Sequence, residues 1–89
     1  MNSHTTQPFR DALASLPKDI RARARAAYRR FRQDPHYSGL QFKKVHRKRP
    51  IYSARINDDY RVVGTMEGNA IVWFWIGKHE EYERLLKKL

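Results

Sequence analysis

Apolar residues in the first half of the chain are spaced as in an α-helix with one buried face. They recur at intervals of three and four residues, at Leu13, Leu16, Ile20, Ala24, Tyr28 and Phe31. The pattern predicts a first helix over residues 9–16 and a second that begins at Lys18, directly after Pro17. Asp34 should end the second helix, because a residue followed by proline is pushed out of the helical region. The first half is therefore a helical hairpin or one bent helix.

Three strands are predicted in the second half, where the apolar spacing shortens. They lie at residues 51–56, 60–66 and 70–76. The first strand alternates, which places Ser53 and Arg55 on the face opposite to its apolar side chains. A tight turn through Gly68 joins the second strand to the third, which is apolar on both faces as a covered central strand would be. Gly77 is expected to end the third strand, and residues 80–89 to form a short helix.

The order of these elements predicts the α+β fold class. An N-terminal helical hairpin would pack on a small antiparallel sheet of three to four strands, followed by a short C-terminal helix. Eighty-nine residues are enough for a single domain, spanning 1–89, in which residues 1–7 are loose or add a short edge strand. Trp73 and Trp75 are expected to share one face of the third strand with Ile71, in a core or an interface.

The net charge of +10 is confined to the first half of the chain. Residues 1–49 carry 13 Lys and Arg against 3 Asp and Glu, whereas residues 50–89 carry 6 of each kind. Such a one-sided positive field attracts polyanions, either nucleic acid or an acidic protein. The alternative is a solvated basic helix that keeps the protein soluble.

Composition argues against several kinds of site and location. There is no cysteine, and the four histidines lack partners at ligand spacing, so no metal and no cofactor is expected. The longest apolar run, residues 70–76, is far shorter than the roughly 20 residues of a membrane span. The N-terminal sequence does not resemble a secretory signal. A cytoplasmic protein without a membrane partner is expected.

Two arginines on neighbouring predicted strands are candidates for phosphate chemistry. If the strands pair through the link at residues 57–59, Arg55 and Arg61 emerge on the same face of the sheet. There they would hold a phosphate and stabilise negative charge in a transition state. The alternative is that they pair with nearby carboxylates, Asp58 among them.

His79 and Tyr82 follow the third predicted strand, near the start of the last helix. The titration of histidine near neutral pH suits general acid or base work, and an exposed capping histidine is the alternative for His79. Tyr82 would stack a base or donate a hydrogen bond, or else pack as a core aromatic under the sheet.

Four short motifs follow one another along the chain in a recognisable order. They are G-L-x-F-K after the second helix, Y-S-x-R-I on the first strand, Y-R-V-V on its partner, and an apolar strand ending in G-x-H-x-x-Y. Together, over roughly residues 9–86, they resemble the toxins of the RelE/ParE superfamily from bacterial toxin–antitoxin modules. The resemblance implies the same α+β fold.

In RelE-like members the resemblance further implies a metal-independent endoribonuclease that cuts mRNA on the ribosome. There a 2′-hydroxyl attacks the neighbouring phosphate. Carried over by position, the catalytic set would be Arg55, Arg61, His79 and Tyr82. Lys43 and Lys44 would contact RNA by the same resemblance, and the charge of the connector adds His46, Arg47, Lys48 and Arg49 to the nucleic-acid-binding set.

The resemblance also implies partners, namely a cognate acidic antitoxin together with the ribosome and mRNA. A fold alone does not choose a target, so two other functions stay open. One is a ParE-like toxin that inhibits DNA gyrase and cleaves no RNA. The other is a non-toxic basic module that binds RNA or protein.

Overall fold

A single five-stranded sheet with helices on both faces forms the structure, a computed structural model that describes residues 1–89. The helices are α1 (Gln7–Ala14), α2 (Lys18–Gln33) and α3 (His79–Lys88). The strands are β1 (Asn2–Thr5), β2 (Lys43–Lys44), β3 (Ile51–Arg55), β4 (Tyr60–Glu67) and β5 (Ala70–Lys78). Their order in the sheet is β1-β5-β4-β3-β2, with β1 parallel to β5 and all other neighbours antiparallel. The predicted α+β class is confirmed.

The sheet has five strands rather than three or four because a short strand joins each edge. Residues 1–7 take the edge-strand alternative, and β1 is tied to α2 by the Tyr28 hydroxyl, which donates to the Ser3 carbonyl at 3.0 Å. At the other edge, β2 pairs with β3, directly after a 3₁₀ turn at Ser38–Leu40. Both segments are too short and too polar to show a strand period in the sequence.

The helical hairpin forms as predicted, with recognisable ends. Thr6 caps α1, since its side-chain oxygen accepts a hydrogen bond from the Phe9 backbone N–H at 3.2 Å. α2 stops at Gln33, and Asp34 before the proline is extended, with φ −152°. No helix is long and apolar enough to cross a lipid bilayer.

The sheet separates two apolar cores of different size. The larger lies between the helical hairpin and the sheet, and its buried members are Phe9, Phe31, Leu40, Ala54, Ile71, Trp73 and Ile76. The smaller lies under α3, and its buried members are Ile51, Val63 and Tyr82. The predicted alternation of β3 is confirmed, because Tyr52 and Ala54 face the hairpin while Ser53 faces α3.

A β-bulge separates the two tryptophans of β5. Phe74 is an extra residue between the positions at which Trp73 and Trp75 pair with β4. Trp73 packs edge-on against Phe31 in the larger core at a centroid distance of 5.3 Å, whereas Trp75 lies 6.5 Å from Tyr82 under α3. The prediction that both tryptophans share one face is wrong, because the inserted residue inverts the alternation of side chains.

Gly77 lies inside β5 and does not end it. It pairs with Arg61 on β4, and the indole of Trp75 lies so close that a Cβ on Gly77 would stand 2.6 Å from the ring. The glycine therefore permits this close approach and is not a strand breaker. The strand continues for one more residue, so that α3 begins at His79, whose backbone N–H donates to the Asp59 carbonyl at 2.8 Å.

Candidate active site

A polar cavity of about 220 Å³ opens where β2, β3 and β4 meet the first turn of α3. Seven residues line it: Gln41, Lys43, Ser53, Arg55, Arg61, His79 and Tyr82. The four residues of the predicted catalytic set and one of the predicted nucleic-acid-binding set thus meet at a single place, although they are far apart in the sequence.

Arg55 and Arg61 are direct partners across β3 and β4, in the pairing that places both on one face. Arg61 donates from one η nitrogen to the carbonyl oxygens of Asn57 at 2.6 Å and Tyr60 at 3.0 Å, both in or beside the β3–β4 turn. A guanidinium has five N–H donors, so this contact fixes Arg61 and leaves donors available to a ligand.

One of the two arginines also pairs with a carboxylate of the β3–β4 turn, as the alternative prediction for them stated. Arg55 forms an ion pair with Asp58, whose carboxylate is almost fully exposed. The hydrogen bond from Arg55, then its positive charge, and to a smaller extent the charge of Arg61 lower the pKa of Asp58 below its ordinary value. Arg55 therefore contributes to the cavity wall while its orientation is set by the turn.

His79 is the first residue of α3, one residue before the predicted start of this helix, and it does not cap the helix. The capping contact comes from Glu81, whose side chain accepts a hydrogen bond from the Lys78 N–H at 3.3 Å. The His79 ring is 45 % exposed, and its Nε2 lies 3.5 Å from a carboxylate oxygen of Glu83 one turn later. The imidazole is therefore accessible from the cavity, beside a carboxylate that helps to orient it.

Tyr82 packs as the core aromatic that one of its predicted alternatives described, and its contact with RNA stays a prediction. Its ring is buried in the smaller core, and its hydroxyl reaches the cavity wall and donates to the Ser53 Oγ at 3.1 Å. Ser53 is only 2 % exposed, so this hydrogen bond is protected from water. The Ser53 hydroxyl in turn keeps a proton to donate.

The predicted nucleic-acid-binding set divides into two places. Lys43 pairs with Ser53 on β3 and lines the cavity, whereas Lys44 is the next residue of β2 and does not. The remaining members, His46, Arg47, Lys48 and Arg49, belong to the β2–β3 loop and line no part of the cavity.

His46 holds the β2–β3 loop together with both ring nitrogens. Its Nδ1 accepts hydrogen bonds from the backbone N–H groups of Lys48 at 3.1 Å and Arg49 at 2.9 Å, and its Nε2 lies 2.9 Å from the Leu89 carbonyl. This loop therefore packs at the C-terminal end of α3, whereas the cavity lies at the first turn of the same helix. Whether its residues bind nucleic acid stays a prediction.

Sequence reasoning missed Gln41 and Ser53 as parts of the wall. Ser53 shares its strand face with Arg55, a signal that was present in the alternation of β3. Gln41 carries no comparable signal beyond its place between Leu40 and Phe42, two apolar residues of the larger core. No group of three or more His, Cys, Asp or Glu residues is arranged to hold a metal ion.

A second, apolar cavity of about 370 Å³ lies on the opposite face of the sheet, between the helical hairpin and β3 to β5. Apolar side chains such as Leu13, Ala24 and Phe31 line it together with Arg10, Arg25 and Arg29 of the hairpin, and Arg55, at the end of β3, borders both cavities. None of the arginines of α2 forms an ion pair within the chain. This face therefore combines an apolar depression with unneutralised positive charge.

Solved toxins have folds similar to this one. One is a chain of the archaeal RelE–RelB complex from Pyrococcus horikoshii OT3, with a TM-score of 0.69 and 21 % identity over 86 % of this chain and 92 % of that chain. The YoeB/ParE toxin from Agrobacterium tumefaciens has a TM-score of 0.69 and 14 % identity, over 89 % of this chain and 99 % of that chain. The isolated RelE toxin of E. coli has a TM-score of 0.66 and 14 % identity, over 98 % of this chain and 96 % of that chain. At these identities the likeness establishes the fold alone.

The family assignment comes from the sequence itself. No protein among the curated ones matches the chain. The family described as ParE-like toxin domain matches residues 18–84, which run from the first residue of α2 into α3 and include every residue of the polar cavity. The chain therefore belongs to the ParE-like toxin domains, in the RelE/ParE superfamily of toxins from toxin–antitoxin systems.

Proposed function

We propose that this toxin is a metal-independent endoribonuclease that cuts mRNA on the ribosome and thereby stops translation. The observation that supports it best is the convergence of Arg55, Arg61 and His79 on one polar cavity. Two guanidinium groups can stabilise the charge that develops during phosphodiester cleavage by an internal hydroxyl, and an accessible imidazole can transfer a proton.

The two arginines bind the scissile phosphate in this proposal. They lie opposite each other on neighbouring strands, and the ammonium group of Lys43 shares the wall with them. The turn contacts of Arg61 fix it before the substrate arrives, so it needs little reorganisation as charge builds up on the phosphoryl oxygens. Arg55 exchanges its contact with Asp58 for a phosphate oxygen, on which negative charge builds up in the transition state.

Proton transfer takes place on the α3 side of the cavity in this proposal. The 2′-oxygen forms a bond to phosphorus as the bond from phosphorus to the 5′-oxygen breaks. One proton leaves the 2′-hydroxyl and another reaches the departing 5′-oxygen. His79 carries out one of these transfers, with Glu83 orienting its ring, and water carries out the other. Ser53, whose oxygen accepts from Tyr82, keeps its own proton to donate beside the phosphate.

The apolar cavity on the opposite face binds the cognate antitoxin in this proposal. A segment that carries apolar and acidic side chains would fill the depression and neutralise its arginines, Arg25 and Arg29 among them. A nucleic acid would neutralise the arginines but would leave the apolar side chains of the cavity uncovered. The archaeal relative was solved as a complex of RelE with RelB, which agrees with an antitoxin partner.

Induction of the wild-type protein and of the His79→Ala variant in cells tests the ribonuclease. The wild type should cleave transcripts and halt protein synthesis, and His79→Ala should do so far less. Arg84→Ala is the matched control, an exposed residue of α3 outside the cavity. A His79→Ala protein that accumulates normally and arrests growth as fully as the wild type would show that the assignment is wrong.

Inhibition of DNA gyrase is the second candidate, because the family that matches is the ParE-like one. In that case induction should produce a DNA-damage response and filamentous cells while transcripts stay intact. Harmless induction in cells without an antitoxin would favour a basic binding module instead.

A further inference from the structure

Gln41 is the residue of the cavity wall that the proposed cleavage does not use, and its backbone conformation is unusual. Its φ of +46° and ψ of +42° lie in the left-handed region, and apart from glycine no other residue of the chain has a positive φ. That region is disfavoured for a side chain with a Cβ, and glycine or asparagine would end the 3₁₀ turn with less strain. Strain retained at a cavity wall indicates a use for the longer side chain.

The residues on either side of Gln41 hold this conformation in place. Leu40 is buried, with 4 % exposure, and the ring of Phe42 stacks on Tyr52 at a centroid distance of 5.0 Å. The Gln41 N–H itself donates to the Ser38 carbonyl at 3.2 Å. Both flanking side chains are anchored in the core under the helical hairpin, whereas Gln41 lines the cavity on the other side of the sheet. Its placement is therefore fixed before any ligand binds.

The carboxamide of Gln41 differs in chemistry from the rest of the wall. Tyr82 and Ser53 bond to each other, the arginines are tied to the β3–β4 turn, and none of these hydrogen bonds involves Gln41. A carboxamide carries an N–H donor beside a carbonyl acceptor. This pair matches the adjacent donor and acceptor on the edge of a nucleobase, whereas the cations of the wall suit phosphate.

We propose that Gln41 is a specificity-determining residue, whose carboxamide reads the edge of the nucleobase next to the phosphate held by Arg55 and Arg61. The inference rests on the proposed cleavage of RNA, because it takes the polar cavity as the place where the substrate phosphate binds. Bases of single-stranded RNA are free to present their edges in this way. Gln41 sets which base is preferred, and the arginines set how tightly the backbone is held.

Binding of short RNAs that differ only in the central base tests the proposal. A 2′-deoxynucleotide at the centre removes the attacking hydroxyl, so that these RNAs bind without being cut there. The wild type should bind the best and the worst of the four central bases with affinities that differ by about fivefold or more, the lower end expected for a bidentate contact to a base. Gln41→Gly, which relaxes the backbone and removes the carboxamide, should bind all four as weakly as the wild type binds the worst.

Gln41→Asn is the matched second variant, because asparagine tolerates the left-handed conformation and keeps a carboxamide that is one methylene shorter. It should narrow the spread of affinities without changing the affinity for the worst base. If Gln41→Gly fails to fold, Gln41→Asn alone tests the proposal. A difference between the best and the worst base that is unchanged from the wild type then overturns it. A folded Gln41→Gly protein that keeps the wild-type ranking overturns it too, as does a wild type that binds all four RNAs equally.

Cleavage of the matching all-ribose RNAs, with ribosomes present, distinguishes failure of this proposal from failure of the proposed function. A wild type that discriminates between bases but cuts no RNA refutes the ribonuclease and leaves the reading role of Gln41 intact. A wild type that cuts RNA but binds the four central bases equally refutes the role of Gln41 alone.

Discussion

The two faces of the sheet differ in how they divide apolar and polar side chains. Under the helical hairpin lie seven buried apolar residues and an apolar cavity, whose lining also includes Arg10, Arg25 and Arg29. Under α3 the buried core has three members, and the adjacent cavity is lined by cations, hydroxyls and an amide. The comparison suggests that the hairpin face supplies most of the stability, so that the α3 face can carry polar groups next to its smaller core.

The largest expected effect is the loss of the larger core. Phe31 is 2 % exposed and packs edge-on against Trp73 and Phe42. Phe31→Ala should lower the free energy of unfolding by about 3–5 kcal/mol, because it leaves a cavity where a ring was packed. Denaturation in urea measures this loss. Phe74→Ala is the matched control, a half-buried ring on the α3 face, and should cost clearly less. Equal losses would contradict the division between the faces.

The next effect concerns chemistry on the α3 face. If the protein is the proposed ribonuclease, Arg61→Ala should lower the rate of RNA cleavage by about 10²–10³-fold, the usual result of removing one preorganised donor to a developing anion. Arg23→Ala, an exposed arginine of α2 outside both cavities, should leave the rate unchanged. Single-turnover cleavage of an mRNA on ribosomes gives both rates. Comparable losses in the two variants would mean that only total charge matters.

A smaller effect is expected at the buried hydroxyl pair. Tyr82→Phe and Ser53→Ala should each lower the free energy of unfolding by about 1–3 kcal/mol, since each removes one partner of a hydrogen bond shielded from water. The double variant should cost little more than either single one, because the two changes remove the same interaction. Urea denaturation of all three proteins measures the coupling. Strictly additive losses would show that the two hydroxyls act independently.

The smallest effect is the acid-side titration of the β3–β4 turn. The pKa of Asp58 is lowered in the folded chain by Arg55, so the pair stabilises the fold fully above the ordinary aspartate pKa. That contribution is lost as the pH falls through the lowered value. NMR titration of the Asp58 carboxyl should show the shift in the wild type and a return toward the ordinary pKa in Arg55→Gln. The effect on stability is slight because the pair is exposed.

The sequence predicts those structural features of this protein that neighbouring residues determine. The hairpin, the end of α2 before Pro35 and the alternation of β3 follow from neighbouring residues, and each forms as predicted. The pairing of Arg55 with Arg61 was also within reach, because a short turn joins their strands and sets the register. The sequence thus identified most of the polar cavity.

The features that sequence reasoning missed or misplaced depend on distant partners. The bulge at Phe74 is defined by the register of β5 against β4, and it alone decides that Trp73 and Trp75 face opposite cores. Gly77 was predicted to end the strand, because the sequence pattern does not show that the Trp75 indole packs against this glycine. Gln41 lines the cavity through a left-handed turn for which glutamine carries no preference.

The sequence by itself determined the family, the element order and the residue types available for phosphate and proton chemistry. These follow from periodicity, turn residues and motif order, all of which are properties of short stretches of chain. Only the tertiary structure decided which of these side chains meet. Strand pairing brings Lys43, Arg55 and Arg61 to the polar cavity, while other basic residues lie in the β2–β3 loop and on the opposite face.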